Sequence, residues 1–139
     1  MIGLGGNMAE LIEINRKRVF TVTSANELLP LIRKITSEYA SSVQILIQRF
    51  EELKRLGRPG AEALEEQING LVNEWQSKMD RLGIRTKGLW IADFDSGDGF
   101  LCWKYPEERV GFWHAYQDGF KGRIPVEQRA EVAPSDLGV

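Results

Sequence analysis

One cysteine, Cys102, and one histidine, His114, lie in the stretch LCWKYPEERVGFWH, each beside a tryptophan. With a carboxylate nearby, these side chains can do two kinds of chemistry. An imidazole oriented by an acid can take the thiol proton and leave a thiolate nucleophile. The same donors also suit a divalent metal such as zinc, with Glu107 or Glu108 available as a fourth ligand, although the gap between Cys102 and His114 matches no usual ligand spacing. A third arrangement does no chemistry at all: a cysteine in the core and a histidine hydrogen-bonded to an aspartate. The residue types leave all three open.

Which carboxylate belongs to the group depends on strand register. From Ile84 the apolar pattern has period two, and Gly88 to Asp95, Gly99 to Tyr105 and Val110 to Gln117 read as three strands of an antiparallel meander, divided by SGDG and PEER. Gly97-Asp98 is a two-residue hairpin signal that pairs Ser96 with Gly99 and hence Asp93 with Cys102. For the second hairpin two registers compete. A loop of Tyr105 to Arg109 sets Lys104 opposite Val110 and Cys102 opposite Phe112; a slip by two positions sets Cys102 opposite His114. In both, alternation puts Asp93, Cys102 and His114 on one face, within reach of each other. The opposite face then carries Trp90, Ala92, Phe94, Leu101, Trp103 and Trp113, an aromatic surface suited to packing on helices.

The helices precede the meander. Arg18 to Thr23, RVFTVT, alternates and is β-branched, which predicts a strand. Ser24 stands three residues before Glu27 at capping-box spacing, predicting the helix start there. Ile32, Tyr39, Leu46 and Leu53 recur every seven residues, interleaved by Leu28, Ile35, Val43 and Phe50, so the helix runs to about Leu56. Pro30 removes a backbone donor inside this pattern and predicts a kink or restart. After GRPG a second heptad stripe of Ala61, Ile68, Trp75 and Leu82, with Leu64 and Leu71 between, ends at Gly83. The two stripes make an antiparallel, coiled-coil-like hairpin with Leu46 and Ile68 in one seam, where Ile68→Asp should unfold the domain. Leu29, Ile45 and Ile47 fall outside that seam and need cover from the sheet or from a second copy of the chain.

The 139 residues suit one domain. Basic and acidic residues balance in both halves, 11 against 11 before Gly83 and 7 against 9 after it, for a net charge of −2. This excludes a built nucleic-acid surface. No apolar run approaches the roughly 20 residues that cross a bilayer, and Glu10 and Glu13 interrupt any leader-like segment, so a cytoplasmic location is expected. A lone cysteine fits a reducing compartment.

The chain resembles an uncharacterised bacterial family, DUF2203, through RVFTVTSANELLPLIRKI, LCWKYPEERVGFWH and GFKGRIP. The resemblance implies a two-helix segment followed by Asp93-Phe94, Cys102-Trp103-Lys104, Glu107, Trp113-His114 and Gly119 to Pro125, which adds Arg123 to the candidate ligand contacts. It implies no activity. The turn after Asp93 is shorter than the family pattern, and Ala115 stands where relatives often carry an acid.

Together these patterns describe an α+β domain, a long antiparallel helical hairpin packed with a small antiparallel β-meander. A flexible tail is expected over 1–17, one domain over 18–126 (hairpin 24–83, meander 84–117) and a tail over 127–139. The expected function is a non-enzymatic interaction or ligand-binding module, a homodimer through its hairpin, with Asp93, Cys102, Glu107, His114 and Arg123 contacting a small-molecule ligand or, for Asp93, Cys102 and His114, a metal. The rival is a small metal-dependent or thiol-based enzyme using the same row. Neither nucleic acid nor membrane is expected as a partner.

Overall fold

A computed structural model describes residues 18–129. The flexible tail expected over 1–17 and most of the C-terminal tail lie outside the described residues.

RVFTVT is not a strand. Helix α1 spans Val22–Leu56 and absorbs its second half, because Thr21 and Ser24 form the capping box: Ser24 N–H donates to Thr21 Oγ1 (3.0 Å) and Thr21 N–H to Ser24 Oγ (2.9 Å). The helix therefore starts three residues before the expected Ser24 and Glu27 pair. Arg18 to Phe20 meet the sheet through one backbone bond, Phe20 N–H to Asp95 O (2.7 Å), and Phe20 packs edge-on against Phe94. Alternation here records one buried ring next to exposed Val19 and Val22, not a ladder. Pro30 sits inside α1 without a restart and faces solvent. Gly57, at φ 65°, closes α1, and the left-handed geometry suits glycine.

Helix α2, Ala61–Arg81, returns antiparallel and ends where Gly83 N–H bonds Asp80 O and Ile84 N–H bonds Met79 O. Burial is concentrated at the sheet end of the hairpin: Ala25, Leu29, Ile32, Thr36 and Val43 on α1, Trp75 and Met79 on α2. Trp75 is the centre of this core. Its Nε1–H donates to Thr36 Oγ1 (2.9 Å) and its ring meets Trp90 edge-on at 4.9 Å. Leu46 and Ile68 are only half-buried. Ile68→Asp should therefore cost about 1–3 kcal/mol, since the carboxylate keeps contact with water, and not unfold the domain as full burial would. Urea denaturation measures this; complete loss of the folded baseline would place Ile68 in a dry seam.

The sheet has five strands in the order β1 (Arg85–Gly88), β2 (Ile91–Asp95), β3 (Phe100–Lys104), β4 (Phe112–His114) and β5 (Ile124–Pro125), all antiparallel to their neighbours. The expected first strand, Gly88 to Asp95, narrows to β2, and an additional strand, β1, precedes it; the two pair with Gly88 opposite Ile91 across Leu89 and Trp90. Gly88 flanks that turn, where a Cβ would press on the Ile91 side chain. Trp90 itself takes φ 62°, a strained region for a bulky residue that its packing on Trp75 offsets. Gly97, at φ 92°, is the first loop residue of the next hairpin, a conformation that glycine adopts without strain. One sheet face, with Ala92, Phe94, Leu101 and Trp103 buried and Trp90 and Trp113 packed against them, closes the core with the helices. The other face carries the row.

Candidate metal centre

Asp93 pairs with Cys102 across β2 and β3, and Cys102 pairs with Phe112 across β3 and β4, so the shorter-loop register holds and His114 lies one step along, opposite Phe100. Gly99 is needed for this: a Cβ there would run into the Trp113 ring and the His114 carbonyl. The loop after β3 is tied down by Arg33, which donates to the carbonyls of Pro106, Glu107 and Glu108, and by Asn26, which pairs with both backbone groups of Val110. Two helix side chains therefore set the position of β4 and its histidine.

Asp93, Cys102 and His114 bring one ligand atom each to within 4.8 Å of one another, and all three residues are buried, at 2%, 0% and 1% exposure. A tetrahedral zinc with bonds of about 2.0–2.3 Å spaces its ligand atoms about 3.4–3.6 Å apart, so the three atoms would close slightly around such an ion and leave one position for a fourth ligand. His114 Nδ1 is 2.9 Å from Ala115 O. A carbonyl only accepts, so Nδ1 carries a proton, and Nε2 is the ring atom turned to the row. Nε2 lies 3.2 Å from Asp93 Oδ1, but without the alignment of a hydrogen bond, and neither atom has any other partner. Two buried ligand atoms face each other without an aligned hydrogen bond, a cost that a cation between them would relieve.

In the metal-free form, burial and then the Asp93 carboxylate push the Cys102 thiol up to about 12, against the opposing pull of Arg123. A thiolate nucleophile at neutral pH does not fit this environment. The sign of the linkage follows: the buried thiol contributes stability that is complete below its unfolded pKa near 9 and is lost as pH rises toward 12. Metal-free Cys102→Ala should therefore lose less stability than wild type between those limits, read by denaturation at stepped pH; parallel losses would show that the thiol does not titrate there.

Of the other candidates, Arg123 reaches the edge of the row, with Nη1 3.9 Å from Cys102 Sγ, whereas Glu107 does not enter it. Glu107 is occupied by Arg123, which it grips through both oxygens, and by the Lys104 N–H. Glu108 is exposed, so neither glutamate supplies a fourth ligand. Sequence reasoning missed Phe100, whose ring lies 5.6 Å from the imidazole, and the aromatic pair around Arg123. Phe100 and Phe112 stand two positions before Cys102 and His114, so alternation alone would have placed them on this face. Lys87 and Arg85 cover the outer side of Phe100, leaving the row enclosed by rings and cations. Among the described residues, no helix is long and apolar enough to cross a membrane.

Residues 18–126 match the model of the family described as Uncharacterized conserved protein (DUF2203), and since they make up most of the chain, it belongs to that family. No curated protein and no solved structure matches it.

Proposed function

We propose that this DUF2203 protein is a non-enzymatic module whose sheet holds one divalent transition metal ion, of the zinc class, between Asp93, Cys102 and His114. The observation that carries the reading is the buried meeting of Asp93 Oδ1 and His114 Nε2, two ligand atoms that make no aligned hydrogen bond. The Nδ1–H bond to Ala115 O supports it, because metal-binding histidines are oriented by a bond of this kind from their other nitrogen. Sulfur in the donor set selects zinc or a related transition ion over calcium or magnesium. Burial of every donor keeps bulk solvent from the ion, and three protein donors leave its fourth position to a water or a small ligand. Elemental analysis of protein purified without a histidine tag should find one such ion per chain, lost in Cys102→Ser and His114→Ala. Wild-type protein that is metal-free and takes up no zinc on dialysis would overturn the reading.

The hairpin supports a second part of the function, self-association into a homodimer. Leu29 is covered by the core, but Ile45 stays 53% exposed and Ile47 half-exposed, and no residue of the hairpin between Val43 and Trp75 is buried. A second copy of the same hairpin would give this two-helix segment the second layer it lacks, as in a four-helix bundle. Light scattering should return about twice 15.8 kDa. A mass near 15.8 kDa at high concentration would remove this part of the proposal and leave the metal centre untouched.

A further inference from the structure

We infer that Arg123 is the positioning residue of the metal-bound thiolate, donating an N–H to Cys102 Sγ and held in that pose by Glu107; the inference rests on the metal reading above. Arg123 is the cation recorded in contact with the sulfur among the described residues, at 3.9 Å, and it opposes the Asp93 carboxylate that also hydrogen-bonds the thiol. Its pose is fixed from three sides. Glu107 takes both terminal nitrogens, one at 3.1 Å, and the guanidinium lies between the Phe112 and Phe120 rings, 3.9 and 4.1 Å from their centroids. Glu107 is itself anchored, accepting from the Lys104 N–H (2.8 Å) while its own N–H donates to Lys104 O (2.8 Å). Phe120 belongs to the short 3₁₀ turn Phe120–Gly122, which leads directly into Arg123 and β5. Only 14% of the Arg123 side chain is exposed, so its guanidinium is held away from bulk solvent.

This geometry has a consequence specific to a thiolate. An N–H pointed at a metal-bound sulfur stabilises its lone pairs, so the thiolate keeps its negative charge in a buried site and its charge-transfer transition to the metal rises in energy. A guanidinium also stays charged at every relevant pH, which a lysine in an apolar sandwich would not guarantee. The arginine thus compensates a carboxylate and a thiolate that share one row. Glu107 keeps the arginine from swinging to solvent or onto Asp93.

Cobalt(II)-loaded protein tests this, with the thiolate-to-cobalt band and the rate of cobalt loss to a chelator as readouts. Arg123→Met keeps a long apolar stem between the two rings but has no donor; its band should move to lower energy and its cobalt should be held about 10–100-fold less tightly. Glu107→Gln should shift both readouts the same way by less, and Arg123→Lys should restore the band part of the way. A band and a loss rate identical to wild type in Arg123→Met would overturn the assignment and leave Arg123 a packing residue. If Arg123→Met does not fold, Glu107→Gln decides by the same criterion. Absence of any charge-transfer band in wild type is a different failure, because it removes the metal itself.

Discussion

Alanine in place of Trp75 is expected to destabilise the domain by about 3–5 kcal/mol, the largest effect of any single substitution proposed for this chain. Three losses coincide there. The indole is fully buried where α1, α2 and the sheet meet, so its removal leaves a cavity with little freedom to collapse. Its departure strips Thr36 of a partner in a buried site, and it takes away the ring that holds Trp90 at its positive φ. Since small domains are stable by only about 5–15 kcal/mol, the variant should sit close to its unfolding transition. Trp75→Phe separates the contributions: it keeps most of the apolar bulk and loses the hydrogen bond, for a cost of about 1–3 kcal/mol. A Trp75→Ala variant no less stable than Ile68→Asp would show that the centre of the core lies elsewhere.

Removal of the metal is expected to have the second-largest effect. An ion that binds only the folded chain stabilises it by RT ln(1 + [L]/Kd), about 4 kcal/mol when free metal exceeds Kd a thousandfold. At about 3–5 °C per kcal/mol, between the values for smaller and larger domains, a strong chelator should lower the thermal midpoint by more than about 10 °C. The drop should reverse on adding zinc and should be absent in His114→Ala, whose midpoint should no longer depend on metal. A wild-type midpoint indifferent to chelator and zinc would mean that the row is stable as an all-protein group.

The helical hairpin and the composition of the row were legible in the sequence because both rest on simple periods. Heptad spacing located both helices, and strand alternation placed Asp93, Cys102 and His114 on one face whichever register was correct. Where the sequence misled, a tertiary contact outweighed a local signal. RVFTVT reads as a strand until Thr21 caps the helix and Phe20 turns into the core. The break between β1 and β2 was hidden because it depends on a tryptophan with φ 62°, stabilised by Trp75 from a distant helix. The register of the second hairpin was undecidable locally because Arg33 and Asn26, both on α1, hold its loop. Glu107 was a fair candidate ligand by type, and only the position of Arg123 shows that its carboxylate is already engaged. The tautomer of His114 depends on the Ala115 carbonyl, a backbone group that no side-chain motif could reveal.

The central claim is that Asp93, Cys102 and His114 together hold a metal ion. Titration of metal-free protein with cobalt(II), followed by absorbance, tests it most directly, since only a cobalt–thiolate bond gives an intense near-ultraviolet charge-transfer band and the chain has one thiol. The account predicts a band that saturates at one equivalent of cobalt, disappears in Cys102→Ser, weakens in affinity in Asp93→Asn and His114→Ala, and is displaced by zinc. No band in folded wild-type protein, or a band that persists in Cys102→Ser, would contradict it.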